Sequence, residues 1–423
     1  MKSVRKKKKK VKEREWLENQ ARKLESGMQD LNSKIELIQA LIPLGLMHVN
    51  QELQEEVERL AGKKHSRGEN SRWGSQAGSV YLLDQKIPVR VPRVRNKVRD
   101  TEVALDFYKG LQQTRKEDDV LLKRVISGLS CHRYEECAQT VPGVFGLSSS
   151  TVSRRYIRAS ARKLKELTNR NLEDTDIIGI FMDGKTFSED EMIIALGITI
   201  TGVKIILGFI QAGSENECVC RDFLKDLKER GLNYEEGILF VIDGSKGLCN
   251  AIKKEFKEYG FVQRCQWHKR KNILSYLPKS KQEEMKKKLQ DAYEEPSYEK
   301  AKAELKGIRK ELKQLNESAV KSLDDGFEET LTLHKLGVFK KLGISFKTTN
   351  CIESIMSQIE QRTGRVSYWK NSNQKHRWLA AALLDIEPRL RKVKGWRHLP
   401  SLRMAMKNKL NKSMESEVKL EAA

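Results

Sequence analysis

Three acidic residues lie in sequence contexts that suit metal-dependent chemistry. Asp183 and Asp243 each end an apolar, β-branched run and precede a glycine, in FMDG and VIDG. Glu353 lies in the first turn of a helix predicted from TTNCIESIMSQIEQR. Carboxylates can hold two divalent cations about 4 Å apart, the arrangement used for in-line attack on a phosphodiester. We therefore predict a site for two Mg²⁺ ions at these three acids.

Each acid also has a simpler explanation. Asp-Gly is a common turn dipeptide after a strand. Glu353 stands three residues after Asn350, where a glutamate often satisfies the free amides of a helix start. The joint pattern favours catalysis over three separate coincidences. If Glu353 is only a capping residue, Glu360 is the next candidate for the third acid.

Cys265 and His268 form a CxxH pair among the basic residues Arg264, Lys269 and Arg270. CxxH is half of a zinc site, but no second Cys/His pair follows at a suitable spacing, which disfavours zinc. One interpretation is a buried structural cysteine whose histidine faces the active-site edge. The other is a histidine that contacts the scissile phosphate or a base. We take the pair as catalytic candidates and the three basic residues as candidate DNA contacts.

The elements that must position these residues occupy 173–278. Three apolar runs, DIIGIFMD, EMIIALGITI and VKIILGFIQ, predict an antiparallel meander. A helix, the strand GILFVID, a second helix, the strand FVQRCQ and a third helix follow. This order predicts an α/β, ribonuclease-H-like domain, a five-stranded mixed sheet with helices on both faces. Its first and fourth strands are neighbours, which brings Asp183 and Asp243 to one edge.

The rest of the catalytic half is predicted to be helical. Segment 279–345 carries alternating charges with little apolar surface, which predicts a helical insertion in the core. Segment 346–395 returns to the core with the third acid, and 396–423 is predicted to be a basic tail. A basic stretch with interleaved aromatic residues follows Glu353 and is a candidate grip on DNA backbone or a splayed base, namely Arg362, Arg365, Trp369 and Lys370.

Composition points to a polyanionic partner. The 423 residues include 81 Lys and Arg against 58 Asp and Glu, a formal charge of +23, which favours double-stranded DNA as the ligand. No apolar run of about 18 residues is present, so we expect no membrane span. The seven cysteines are odd in number and irregularly spaced, which indicates reduced thiols and a cytoplasmic protein.

The N-terminal segment 1–61 combines a lysine-rich tail with a heptad pattern. Apolar residues alternate steps of four and three up to Pro43, which should close the helix, at Leu17, Ala21, Leu24, Met28, Leu31, Ile35, Ile38 and Ile42. The pattern favours a coiled coil that joins a homodimer or higher oligomer. The alternative is a helix that packs on its own chain.

Segment 62–100 begins with a Gly- and Ser-rich stretch, 62–78, whose composition predicts a linker. The sequence IPVRVPRVRN then predicts an edge strand with a basic face, including Arg90 and Arg93. Such a strand could lie along DNA, or its prolines and charges could simply protect an exposed edge.

Segment 101–172 predicts a helix-turn-helix, so the region before the catalytic domain is expected to be largely α-helical and to bind DNA and dimerise. The last helix opens with serines suited to an N-cap, and basic residues follow within its first turns. In a helix-turn-helix this part of the second helix faces bases and phosphates. The candidate DNA contacts are Ser149, Ser150, Arg154, Arg155 and Arg158.

Three long motifs carry a family resemblance. VIDGSKGLCNAI, RCQWHKRKNI and TTNCIESIMSQIEQRTGRVSYWKN resemble the Mutator-type family of bacterial insertion-sequence transposases. The resemblance implies a DDE triad at Asp183, Asp243 and Glu353 with a helical insertion before the glutamate. It also implies that Cys265 and His268 form the family's C/DxxH signature. FMDG differs from the Asp-Ala of many members.

The implied activity is metal-dependent cleavage and strand transfer on terminal inverted repeats and target DNA. Two other functions fit parts of the pattern. A DNA-binding regulator with a defunct nuclease-like fold would use the helix-turn-helix and the coiled coil alone. A ribonuclease acting on RNA–DNA hybrids would use the same metal pair, but it would not need the other two features.

Overall fold

The computed structural model describes residues 31–66, 68–82, 85–112, 115–131, 134, 147–187, 189–212 and 216–421. The chain divides into two units, Met1–Ala159 and Ser160–Ala423. The lysine-rich tail and the heptad positions before residue 31 lie outside the described residues, as do the side chains of the later heptad positions. The coiled coil therefore stays a prediction.

The first unit combines helices with an antiparallel sheet of order β1-β2-β3. The region expected to be largely helical thus also contains a long hairpin with one buried face, formed by the alternating residues of 70–96. The elements are α1 (Leu31–Ala61), β1 (Asn70–Leu82), β2 (Gln85–Asn96), β3 (Thr101–Val103), α2 (Asp106–Leu111), α3 (Arg115–Ile126) and α4 (Ser149–Thr168), the last continuing into the second unit.

Three local predictions in this unit are wrong. Helix α1 continues through Pro43, whose missing N–H removes a single hydrogen bond from the helix. The expected linker is strand from Asn70 onward. The pairing of β1 with β2 shifts register between Arg72 and Ser75, on either side of Gly74. The proline-bearing β2 is the middle strand rather than an edge, although β3 pairs with it only at Val94–Asn96.

The core of the first unit lies between α1 and the hairpin. Val49, Leu53 and Val57 recur every four residues and are buried against apolar residues of both long strands. Glu56, on the same helix, is also buried, and its carboxylate accepts the backbone N–H groups of Asp106 and Phe107 at the start of α2. The second half of α1 thus anchors the sheet and the next helix.

The second unit contains the predicted five-stranded mixed sheet, in the order β6-β5-β4-β7-β8. β5 pairs antiparallel with β4 and β6, whereas β7 runs parallel to β4 and β8. The strands and the helices among them are β4 (Ile177–Phe187), β5 (Asp190–Thr199), β6 (Lys204–Gln211), α5 (Glu217–Glu229), β7 (Ile238–Ile242), α6 (Lys246–Phe256), β8 (Gly260–Arg264) and α7 (Gln266–Ser275).

Both faces of this sheet are covered. One face packs on α5 and α6 through residues such as Phe240 and Leu224. The other packs on C-terminal helices through residues such as Phe181 and Phe346, whose rings lie 5.2 Å apart. Burial on both faces explains why the strands are almost continuously apolar. The later helices are α8 (Lys279–Glu294), α9 (Tyr298–Leu315), α10 (Glu317–Asp324), α11 (Thr332–Lys335), α12 (Phe339–Phe346), α13 (Asn350–Thr363), α14 (Ser372–Ile386) and α15 (Leu399–Glu421).

Two predictions about the charged segments need correction. The insertion does not lack apolar surface, because α7–α10 bury a cluster of their own that includes Leu289, Leu305 and Leu323. The expected basic tail is helix α15, and its Leu402 and Met406 are fully buried in the core of the sheet. None of the described helices combines the length and apolarity that a membrane span requires.

Candidate active site

Asp183 and Asp243 lie at the same edge of the sheet. β4 and β7 run in parallel, and Met182 opposite Ile242 is the last residue pair between them, so each aspartate immediately follows the end of the β4–β7 ladder. Asp183 does not end β4, as FMDG suggested, because pairing with β5 continues the strand to Phe187. Its side chain is buried, with 8% exposure. The backbone that carries this carboxylate is therefore fixed by a neighbouring strand on each side.

Glu353 reaches the same place from the first turn of α13. The N-cap of this helix is Thr349 and not Asn350, so the capping-box interpretation of Glu353 fails. The Thr349 hydroxyl donates instead to Oε1 of Glu353 over 3.3 Å. One ligand atom from each of Asp183, His268 and Glu353 lies within 4.8 Å of the others. An acid from the sheet and an acid from a late helix therefore meet beside a histidine.

The CxxH pair begins α7, with Cys265 as its N-cap. The backbone N–H of Cys265 donates to Ile242, the last residue of β7, over 2.7 Å. His268 Nδ1 lies 3.4 Å from the hydroxyl oxygen of Thr349, and this oxygen lies 3.6 Å from the Cys265 sulfur. The strand pairing of β7 thus sets where the cysteine and the histidine lie.

Thr349 is the central residue that sequence reasoning missed. It is fully buried, and its hydroxyl lies within reach of Cys265, His268 and Glu353. The hydroxyl has one proton to donate, so it selects among these partners. The available signal was its position immediately before a predicted helix, where threonine is a favoured N-cap.

The cluster shifts the pKa values of three of its side chains, those of Asp183, His268 and Cys265. Burial raises the pKa of Asp183 to about 7, and the carboxylate of Asp243 adds to the rise. The hydrogen bond with Cys265 raises the pKa of His268, which Asp183 and Asp243 raise further. Burial works to raise the pKa of the Cys265 thiol, but its hydrogen bonds with His268 and their attraction lower it overall. The cluster thus favours a charged imidazole and penalises a second carboxylate charge.

Asp243 lies beside the group formed by Asp183, His268 and Glu353 and is not a member of it. Its Oδ1 accepts the backbone N–H of Ser245 over 3.0 Å, and Ser245 in turn caps α6. It is close enough to raise the pKa values of both Asp183 and His268. The structure thus joins Asp183, His268 and Glu353 directly, with Asp243 next to them.

Arg264 and Lys269 are structural residues rather than surface DNA contacts. Both side chains are buried, and Arg264 donates to Oδ2 of Asp325 over 2.7 Å and also to the Gly244 carbonyl. Lys269 donates to the backbone carbonyls of Ser322 and Asp325. These bonds hold the end of α10 against the loop that carries Asp243. Our prediction that the two residues contact DNA is therefore corrected.

Comparison with known proteins identifies the family of the chain. A sequence profile described as "Transposase, Mutator family" matches residues 12–391. The chain belongs to the Mutator family of transposases. It is 27% identical over 354 residues to the transposase for insertion sequence element IS256 in transposon Tn4001 from Staphylococcus aureus, covering 78% of this chain and 86% of the relative. It is 25% identical over 346 residues to the transposase for insertion sequence element ISRM5 from Rhizobium meliloti, covering 79% and 84%.

The other basic candidates in the second unit of this Mutator-family chain differ in exposure. Arg270 is half-buried and donates to Gln290 on α8 over 3.0 Å. Arg362 is mostly buried and ion-paired with Asp385, so it supports packing. Trp369 stacks at 4.9 Å from Phe187 and is partly buried. Of the four candidates in this stretch, Arg365 and Lys370 face solvent.

In the first unit the start of α4 divides into a buried and an exposed face. Arg155 is buried and donates to Asp118 of α3 over 2.7 Å, which removes it from the candidate DNA contacts. Arg158 also pairs with Asp118, although its own side chain is 56% exposed. Ser149, Ser150 and Arg154 are exposed. The turn that would precede α4 in a helix-turn-helix falls on residues that the structure does not describe, so that motif stays a prediction.

The strand candidates also differ from each other. Arg90 is exposed on β2. Arg93 donates two hydrogen bonds to Glu102, of 2.8 and 2.7 Å, and its guanidinium lies 3.8 Å from the centre of the Trp73 ring. The second arginine is therefore held within the sheet, whereas the first projects into solvent.

Proposed function

We propose that this chain is the transposase of a bacterial insertion sequence. In this proposal it binds the terminal inverted repeats of its element and cleaves and transfers DNA strands at Asp183, Asp243 and Glu353. The carrying observation is that acids from β4, from the end of β7 and from the start of α13 converge at one sheet edge. The relatives named above are transposases for insertion sequence elements, which supports DNA as the substrate.

The topology supports a ribonuclease-H-like catalytic domain. Three antiparallel strands precede two parallel ones, and the fourth strand lies next to the first. Helices α7–α12 stand between the last strand and the helix that carries Glu353. We therefore propose that 279–345 is an insertion and that Arg264 and Asp325 fasten it to the core, close to Asp243.

The donor set fits divalent metal. Asp183 is buried beside acids of the same sign, and this costs free energy that a bound cation offsets. Carboxylate oxygens are the ligands that Mg²⁺ and Mn²⁺ prefer, so Asp183, Asp243 and Glu353 would hold the ions, two per site in our proposal. When bound, such ions activate a water or a 3′-hydroxyl and stabilise the leaving oxygen.

The remaining residues act through hydrogen bonds and charge. His268 favours its protonated form, so it can donate to a non-bridging oxygen of the scissile phosphate. Cys265 holds the imidazole through their hydrogen bond, and Thr349 orients the Glu353 carboxylate. These contacts fix the acids before DNA arrives, which lowers the cost of assembling the site.

DNA recognition is assigned to exposed residues outside the acid cluster. We propose that Ser149, Ser150, Arg154 and Arg158 at the start of α4 recognise the element ends as part of a helix-turn-helix. Arg90, Arg270, Arg365, Lys370 and the ring edge of Trp369 would contact the backbone more generally. We further propose that the heptad segment joins two or more protomers, so that two ends are held together.

Cleavage of a labelled terminal-repeat duplex in Mg²⁺ tests the proposal. The wild-type chain should cut at the element end, and Glu353→Gln should abolish cutting while leaving end binding and the melting temperature unchanged. Glu360→Gln, two turns further along the same helix, is the matched control and should cut normally.

Three outcomes would count against the assignment. A Glu353→Gln variant that cuts at the wild-type rate would mean that the third acid is elsewhere, and loss of cutting in Glu360→Gln would identify it. A wild-type chain that binds ends without cutting would favour the regulator. Preference for RNA–DNA hybrids over terminal-repeat duplex would favour the ribonuclease.

A further inference from the structure

Trp267 presents a large aromatic ring to solvent next to the candidate active site. It is 41% exposed, and its ring centre lies 4.8 Å from that of His268, at an interplanar angle of 75°. The opposite face of α7 buries Gln266, Lys269 and Ile273, so the packing of this helix does not depend on the tryptophan. The exposed indole beside His268 is therefore available to stack on a ligand.

The tryptophan lines a groove with a strongly basic rim. The groove has a volume of about 420 Å³ and lies between α7 and α8. Leu274 and Gln282 contribute to its floor, and the cations Arg270, Lys271 and Lys286 surround it. The Lys271 ammonium lies 5.3 Å from the centre of the Trp267 ring.

The charges around this groove are of nearly one sign. Helix α7 contains no Asp or Glu. Among the cations at the rim, Lys286 pairs with Glu283 of its own helix over 3.3 Å. Arg270 is engaged by the neutral Gln290. A flat aromatic face among cations is the combination with which proteins bind single-stranded nucleic acid, because bases stack on the ring and phosphates meet the charges.

We propose that this groove, formed by Trp267, Arg270, Lys271, Leu274, Gln282 and Lys286, binds an unpaired nucleotide of the DNA strand that is being cut. The base stacks on Trp267, and the neighbouring phosphates lie against Lys271 and Lys286. The inference rests on the proposed function, because a strand with a phosphate at Asp183 and Glu353 passes His268, against which Trp267 lies. A base within a duplex is stacked on both faces, so the indole selects DNA that is locally unpaired.

The test compares single-stranded and duplex binding in Trp267 variants of the full chain. The probes are a fluorescent oligothymidine and a blunt terminal-repeat duplex, both measured by anisotropy in EDTA so that cleavage plays no part. Trp267→Ala should weaken oligothymidine binding roughly tenfold and leave duplex binding unchanged, while Trp267→Phe should retain most of the affinity. Tyr276→Ala is the matched control, since Tyr276 is 48% exposed just after α7 but does not line the groove.

A second variant checks how the groove binds phosphate. Lys271→Gln should reduce the slope of log affinity against log salt for oligothymidine by about 0.7, because one phosphate is no longer neutralised. Equal behaviour of Trp267→Ala and Tyr276→Ala, or equally weakened binding of both probes, would overturn the inference. If the wild-type chain cuts terminal repeats without any dependence on Trp267, the inference fails and the proposed function stands. If Trp267 binds oligothymidine but the chain cuts no DNA, the proposed function fails instead.

Discussion

Charge is buried on both sides of the start of α7, but the two clusters are balanced in opposite ways. On one side Asp183 has two neighbouring acids, Asp243 and Glu353, and its pKa rises to about 7. On the other side Arg264 and Lys269 enclose Asp325. The bond from Arg264 lowers the pKa of Asp325 despite the opposing effect of burial. The first cluster gathers three carboxylates around one imidazole. In the second, the carboxylate of Asp325 compensates two buried cations, although burial and Arg264 still lower the pKa of Lys269 to about 8.

This difference distinguishes a cluster suited to metal binding, around Asp183, from one that stabilises the fold, around Asp325. A compensated cluster stabilises the fold only while every member is present, because removing one partner leaves a buried charge alone. A cluster of acids is costly by itself, and it persists because the sheet and α13 hold it in place. Such a cluster gains free energy when a cation binds, which is the property a metal-dependent enzyme needs.

The largest expected effect is loss of cleavage in Asp183→Asn. The substitution keeps the size of the side chain but removes its charge, so cutting of a terminal repeat in Mg²⁺ should fall about a thousandfold or more. Without metal the variant should melt at or slightly above the wild-type temperature, since repulsion is relieved. Added Mn²⁺ should raise the melting temperature of the wild-type chain alone. Near-normal cutting by Asp183→Asn would contradict this role.

The compensated cluster predicts a loss of stability instead. Asp325→Ala removes the carboxylate that pairs with the buried Arg264 and Lys269, although the aspartate itself is 41% exposed and both cations keep backbone carbonyl partners. The free energy of unfolding should fall by about 1–3 kcal/mol in denaturant titrations. Asp324→Ala is the adjacent control. Asp324 is as exposed as Asp325, but its partner Arg309 is 43% exposed whereas Arg264 and Lys269 are 5% exposed, so this change should destabilise the chain much less. Similar destabilisation in the two variants would show that the pairing of Asp325 with Arg264 and Lys269 stabilises the fold no more than an exposed ion pair does.

A buried histidine in the second unit predicts acid sensitivity. His334 is 3% exposed and stacks 3.8 Å from the centre of the Phe339 ring, and burial lowers its pKa to about 4. Between pH 6.5, the approximate pKa of a histidine in the unfolded chain, and pH 4, His334 is protonated in the unfolded chain but neutral in the folded chain. The contribution of neutral His334 to stability is therefore complete above pH 6.5 and falls by up to about 3 kcal/mol as the pH drops to 4. Asp183, whose folded pKa of about 7 lies above its unfolded value, changes stability in the opposite direction over this range.

Denaturant titrations across this pH range would measure the effect. The stability difference between the wild type and His334→Gln should change by up to about 3 kcal/mol between pH 6.5 and pH 4, whereas the difference for the same substitution at the exposed His398 should stay nearly constant. An unchanged pH profile in His334→Gln would assign the acid sensitivity to other groups.

The smallest expected effect concerns Thr349. Thr349→Val keeps the shape of the side chain but removes the hydroxyl that contacts Glu353 and His268, so cleavage should fall about tenfold, the equivalent of one hydrogen bond. Thr349→Ser restores a hydroxyl and should recover most of the rate at similar stability. If Val and Ser variants cut equally well, the hydroxyl does not position the acids.

Much of the catalytic unit follows from the sequence. Apolar runs of strand length joined by short turns predicted the five strands of the sheet, their order and the adjacency of β4 and β7. This succeeded because a strand buried on both faces must be apolar throughout, and the chain between strands limits their connections. The same reasoning placed Asp183 and Asp243 at one sheet edge. It failed for α1 and β1, where tertiary packing outweighed a proline and a glycine-rich composition.

Only the tertiary structure decided which polar side chains are exposed for DNA contact or lie in the acid cluster. Arg155 and Arg264 have the composition and position of DNA contacts, yet each is buried against an aspartate 37 or 61 residues away in the chain. Thr349 is an ordinary helix cap by sequence, and it becomes central because α13 packs its hydroxyl against Cys265 and His268. A charge or a hydroxyl acquires its role from the groups that surround it in space, and local sequence does not specify groups that folding brings from distant segments.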